Sequence, residues 1–122
     1  MKHNPGFLKL VEAAKARVKE CTTAEAKGKL DRGEVAHFLD VREDHEFAKD
    51  HAKGARHLAK GIIERDIETL VPNKQAPIIL YCGGGYRSAL AADALGQMGY
   101  TKVMSMDGGI KAWRDAGYPM EQ

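Results

Sequence analysis

The stretch from Pro77 to Gly99 constrains the fold more tightly than any other part of the chain. Ile78-Ile79-Leu80-Tyr81-Cys82 is an unbroken apolar run opened by Pro77 and closed by three successive glycines, Gly83, Gly84 and Gly85. A short run with no polar alternation is the pattern of a strand buried on both faces, as in a parallel sheet. Past Tyr86, residues Leu90, Ala91, Ala94, Leu95 and Met98 recur at helical spacing from Arg87 until Gly99 stops them. A buried strand therefore passes through a glycine loop straight into a helix.

The same alternation runs along the rest of the chain. Asn4-Pro5 is an N-cap and first-turn pair, and Phe7, Leu10, Val11, Ala14 and Val18 predict a helix over about residues 5–20. Thr22 with Glu25 forms a capping box, and Gly33 stops a second helix over 23–32. Val35 to Val41 reads as another buried strand, Glu43 to Ala48 as a short helix and Ala55 to Ala59 as a short strand. Ile62, Ile63, Ile67 and Leu70 form a helical stripe that Pro72 ends. Lys102 to Met106 predicts a strand, and Ile110 to Ala116 a closing helix with Trp113 turned inward. Strands alternating with helices predict one α/β domain, a mainly parallel sheet with helices on both faces. At 122 residues there is no room for a second domain of ordinary size.

Charge narrows the function classes. Lys and Arg number 19 against 17 Asp and Glu, a balance unlike a disordered tail and giving no reason to expect nucleic acid as a partner. Residues 1–20 hold five basic and two acidic side chains, so the excess positive charge lies on the first helix. Glu12 and Glu20 argue against a membrane-binding or transit helix, and a solvated face is expected instead. No apolar run approaches the ~20 residues of a membrane span. Lys9, Glu12, Lys15 and Arg17 interrupt what a secretory signal would need as its apolar core, so the chain reads as cytoplasmic. Cys21 and Cys82 form no C-x-x-C pair, and His45, His51 and His57 have no zinc-site spacing, so neither a disulfide framework nor a metal is expected.

In open α/β sheets, sites gather where strand ends run into helix N-termini. Two such ends stand out, Asp40-Val41-Arg42 and Cys82 with its glycines. The glycine run lets several N–H groups converge on the Cys82 sulfur, and a helix N-terminus adds to them, surroundings that favour a thiolate. Arg87 adds a fixed, two-pronged positive charge, and Ser88 a further donor or a cap. Cys21 has no glycine loop and reads as an ordinary residue. Gly83-x-Gly85-x-x-Ser88 partly imitates a dinucleotide fingerprint, with Asp107 at nearly the expected distance. Its third glycine is missing and the chain lacks a second mononucleotide-binding half. A phosphate-binding G-x-x-x-x-G-K-[ST] loop fails for want of its lysine.

Leu39-Asp40-Val41-Arg42-Glu43, His51-x-x-Gly54-Ala55-x-His57-Leu58 and Tyr81-Cys82-Gly83-Gly84-Gly85-Tyr86-Arg87-Ser88, in that order, resemble a single-domain rhodanese of the thiosulfate sulfurtransferase family. Gly108-Gly109-Ile110-x-x-Trp113 resembles the closing segment of that family. The resemblance covers about residues 22–119, and divides the chain into an N-terminal amphipathic helix over 1–20 and a rhodanese-like domain over 21–122. It implies a doubly wound α/β domain in which Cys82 is catalytic and becomes a persulfide. The N–H groups of Gly83, Gly84, Gly85, Tyr86, Arg87 and Ser88 would then cradle the substrate. Asp40 and Arg42 match family positions that brace the loop or pair with neighbours such as Glu46.

No cofactor is implied. The partners implied are a small sulfane-sulfur donor, a thiol or cyanide acceptor and, beyond these, a sulfur-accepting protein. Phosphatases of related architecture use a C-x5-R loop, whereas Cys82 to Arg87 is C-x4-R, and Tyr81 stands where many of them place a histidine. Sulfur transfer is thus expected ahead of a cysteine-dependent phosphatase or arsenate reductase, or a non-catalytic sulfur carrier or protein-binding module. Positions 83–86 carry no basic side chain, unlike rhodaneses specialised for thiosulfate, which favours a persulfide donor.

Overall fold

The structure, a computed structural model, describes residues 2–122. In chain order the elements are α1 (Pro5–Lys15), β1 (Lys19–Cys21), α2 (Thr23–Asp31), β2 (His37–Asp40), α3 (Asp44–Lys49), β3 (His51–Ala52), β4 (Arg56–His57), α4 (Ile63–Leu70), β5 (Ile78–Tyr81), α5 (Tyr86–Gln97), β6 (Val103–Met106), α6 (Gly109–Asp115) and β7 (Met120–Glu121). Five strands form one parallel sheet in the order β1-β6-β5-β2-β4, while β3 and β7 pair antiparallel beside it.

β5 occupies the centre, between β6 and β2, which explains why its sequence shows no polar alternation: all four of its residues are buried. On one face, Leu39, Ile78 and Leu80 pack against Ile63 and Ile67 of α4 and Ala91, Ala92 and Leu95 of α5. On the other, Phe38, Ile79 and Tyr81 meet Ala26 of α2 and Ile110 and Trp113 of α6. Both faces are thus covered, as the alternation of elements predicts.

The first helix is shorter than its expected span of 5–20. It ends at Lys15, and Lys19, Glu20 and Cys21 pair in register with Met104, Ser105 and Met106 as an edge strand. Lys19 and Glu20 are exposed and only Cys21 is buried, so this strand lacks the apolar signature of its neighbours. The helix packs along α5, burying Val11 and Ala14. Arg17, just past its end, makes a two-pronged pair with Asp93 of α5 at 2.9 and 2.7 Å. Among the described residues, no helix is long and apolar enough to cross a membrane.

The direction of travel reverses between β5 and β2. From β2 the chain moves outward to β4, whereas from β5 it moves the opposite way to β6. This switch opens a crevice at the carboxyl ends of β2 and β5, the place where open α/β sheets put their sites.

Candidate active site

β5 delivers Cys82 to the floor of that crevice, where the residue is 1% exposed. Directly beyond it the chain must reverse into α5, and Gly85 takes φ +104°, a conformation L side chains rarely adopt. That turn brings the Gly85 amide within 3.1 Å of Sγ and the Ser88 amide within 3.4 Å. The thiol donates to Ser88 Oγ at 3.5 Å, and that hydroxyl lies 2.8 Å from Ser105 Oγ on β6. α5 has no side chain capping its N-terminus. The Cys82 sulfur occupies the place of the cap, taking donors that an anionic sulfur uses better than a neutral thiol.

Of the six residues expected to cradle the substrate, Gly85 and Ser88 donate to the sulfur, while Gly83, Gly84, Tyr86 and Arg87 line the cleft above it. The cleft encloses about 740 Å³, and His3, Phe7, His45, Glu46 and Lys111 complete its walls.

Two residues that the sequence marked for other reasons also position this loop. Gly109, at the start of α6, has φ +54°, and a Cβ there would stand 2.5 Å from the Cys82 carbonyl oxygen and 2.6 Å from that of Gly83. Only glycine allows α6 so close, and the approach lets Ile110 N donate to the Cys82 carbonyl at 2.9 Å and Lys111 N to that of Gly83 at 3.2 Å. The second is Glu46 on α3, which grips Arg87 with both oxygens at 2.9 and 3.2 Å. The Arg87 guanidinium, opposed by partial burial and helped by the Glu43 amide, holds the Glu46 carboxyl at about 2 against an ordinary 4.5. The paired glycines at 108–109 signalled the first in the sequence; Glu46, the third residue of the short helix α3, carried no comparable mark of its pairing with Arg87.

Asp40 and Arg42 are brought near the site without lining the cleft. Their ion pair is almost fully buried, with Arg42 Nη2 at 2.8 Å and Nε at 3.1 Å from the Asp40 carboxylate, and Nη2 also donates to the Asp50 carbonyl at 2.7 Å. The expected pairing with Glu46 is replaced: Arg42 takes Asp40, and Glu46 takes Arg87. Tyr81 turns to the opposite face from Cys82, accepts the Ala52 amide at 3.0 Å and packs on Phe38. Burial and the Asp40 charge push its phenol upward, so it stays neutral. His51 and His57 sandwich the Phe47 ring at 3.8 and 4.7 Å between centroids, away from the cleft.

Cys21 is the contrasting thiol. Burial and then Glu25 push it up to about 11 from 9.0. The Glu25 amide is taken by Thr22 Oγ at 3.0 Å and the Thr22 amide by the Glu25 carboxylate at 2.8 Å, so the start of α2 is capped by its own side chains.

The model of the Rhodanese-like domain matches residues 22–116. YtwF of Bacillus subtilis, a protein named as a candidate sulfurtransferase, is 33% identical over 102 residues, covering 84% of this chain and 96% of YtwF. The thiosulfate sulfurtransferase GlpE of Vibrio cholerae is 35% identical over 86 residues, covering 70% of this chain and 79% of GlpE. Among solved structures, a Rhodopseudomonas palustris protein of unknown function, described as a possible tyrosine phosphatase, superposes with a TM-score of 0.88 at 28% identity, covering 99% of this chain and 98% of that one.

Proposed function

The chain belongs to the rhodanese-like family, and from that premise we propose that it is a sulfurtransferase which moves a sulfane sulfur through a persulfide on Cys82. The observation that carries this reading is the buried sulfur set at the N-terminus of α5, with the Gly85 and Ser88 amides aimed at it from 3.1 and 3.4 Å. The first amides of a helix have no helix carbonyl behind them, so those of Tyr86 and Arg87 remain to hold an outer sulfur.

In the first step the Cys82 thiolate bonds to the outer sulfur of the donor. The donor's S–S bond breaks, and its electron pair leaves with the remainder, sulfite from thiosulfate or a thiolate from an organic persulfide. In the second step a thiol or cyanide acceptor, or a cysteine of a sulfur-accepting protein, attacks the terminal sulfur and returns the Cys82 thiolate. This is covalent, two-step transfer in which the electrons balance without a cofactor. Arg87, held by Glu46, fixes the loop edge at the start of α5, and the Asp40–Arg42 pair keeps the neighbouring strand end rigid.

Intact-mass measurement tests the reading: incubation with thiosulfate or an organic persulfide is expected to add one sulfur atom, removed by a thiol. Absence of that adduct with every sulfane donor would contradict it. The likeness to the Rhodopseudomonas palustris protein makes a cysteine phosphatase the second reading. Against it stands the loop of one residue fewer than the C-x5-R that surrounds a tetrahedral phosphate, with Tyr81 facing away from the sulfur. Turnover of an aryl phosphate faster than of any sulfane donor would reverse the order.

A further inference from the structure

One wall of the Cys82 cleft comes from outside the matched family domain. That domain begins at residue 22, yet His3 and Phe7 line the same cleft as Cys82 and Arg87. Their rings gather on Tyr86, the first residue of α5: His3 to Tyr86 is 4.7 Å between centroids, His3 to Phe7 5.3 Å and Phe7 to Tyr86 6.3 Å. Lys15 closes over the Tyr86 ring at 5.4 Å and bonds Glu20 and Asp107 at 3.1 and 3.5 Å. With Val11 and Ala14 buried and Arg17 clamped on Asp93, α1 is fixed in place and holds an aromatic face over the loop.

The Lys and Arg side chains that line the cleft already have carboxylate partners. Arg87 is engaged by Glu46, and Lys111 by Asp115 at 2.9 Å. A cleft of about 740 Å³ has far more room than bare thiosulfate needs, and clefts of ~300–1,000 Å³ suit ligands of drug size. Resting on the sulfurtransferase reading above, we infer that α1 makes the site selective for an organic sulfane donor, one whose transferable sulfur meets Cys82 while an apolar, ring-sized body lies on His3, Phe7 and Tyr86. An aryl thiosulfonate is a balanced example: Cys82 bonds to the outer sulfur, the bond to the sulfonyl sulfur breaks, and its electron pair leaves with the aryl sulfinate. His3, Phe7 and Tyr86 act here as specificity residues through contact with the donor body.

The test compares kcat/KM of the full chain for benzenethiosulfonate, methanethiosulfonate and thiosulfate. Benzenethiosulfonate is expected to be preferred. Aromatic contacts contribute ~0.5–1.5 kcal/mol, up to about tenfold, so Phe7→Ala should lower the benzene-to-thiosulfate ratio by roughly that factor, mainly through KM. Phe7→Leu keeps an apolar side chain against α5 and should lower the ratio less. Leu10→Ala, at an exposed position of the same helix that does not line the cleft, should leave the ratio unchanged. Equal preference among donors, or a ratio that Phe7→Ala leaves unmoved in a chain that still forms the persulfide, overturns this inference alone. Failure to form a persulfide with any of the three overturns the sulfurtransferase reading and this one with it.

Discussion

Two buried cysteines stand where strands of one sheet give way to helices, Cys21 at the end of β1 and Cys82 just past β5, with exposures of 4% and 1%. What separates them is how the following helix is capped. At α2, Thr22 and Glu25 satisfy each other's amides, leaving Cys21 in apolar surroundings that raise it to about 11. At α5, glycine occupies the cap position with no side-chain oxygen to offer. The orphan donors that every helix start carries turn to the Cys82 sulfur instead. The lesson is that the amides of a helix N-terminus reach a neighbouring sulfur only when no closer side chain has already taken them.

The largest effect expected from breaking this comparison is at the sulfurs themselves. Cys82→Ser is expected to abolish both persulfide formation and turnover, while Cys21→Ser leaves both near the original values, read by intact mass and steady-state kinetics. Next comes the support beneath the loop. Gly109→Ala puts a Cβ against the Cys82 and Gly83 carbonyls in a left-handed conformation, and is expected to cost about 2 kcal/mol or more in denaturant stability and at least about tenfold in kcat/KM. Ser88→Ala removes the hydroxyl shared between the sulfur and Ser105, and an expected loss of about three- to tenfold in kcat/KM corresponds to a single hydrogen bond. The smallest effect sharpens the other side. Thr22→Ala uncaps α2 and should lower stability by about 1 kcal/mol in a denaturant titration, without change in sulfur transfer.

The sequence displayed the Cys82 side of this comparison far better than the Cys21 side. Ile78 to Cys82, the glycine loop and the stripe of α5 are contiguous, and burial of β5 on both faces wrote itself as an unbroken apolar run. β2, α4, β6 and α6 were legible within a few residues, the helices through apolar positions at helical spacing. β1 was not: an edge strand with two exposed charged residues out of three looks like the polar tail of the helix before it. β3 and β7, two residues each, exist only because distant segments meet. At the site, Cys82, Arg87 and Ser88 stood out through local spacing. Glu46 and the close approach of Gly109 depend on contacts across 41 positions, in the case of Glu46 with Arg87, and on the docking of α6, which no local pattern encodes. The role of His3 and Phe7 likewise depends on α1 lying along α5, a packing choice invisible in a helix whose own stripe shows only that one face is apolar.

The most direct measurement of the central claim is the pH profile of alkylation at each cysteine, with brief iodoacetamide treatment read by peptide mass. Thiolates react and thiols do not, and because both residues are nearly inaccessible, the shape of each profile is more telling than the rate ratio. Cys21 labelling should rise only as pH approaches about 11, whereas Cys82, with the Gly85 and Ser88 amides on its sulfur, is expected to be labelled in the range where Cys21 is not. If Cys82 reactivity instead climbed in parallel with Cys21 through the alkaline range, the amides of Gly85 and Ser88 would be shown not to activate the sulfur they surround.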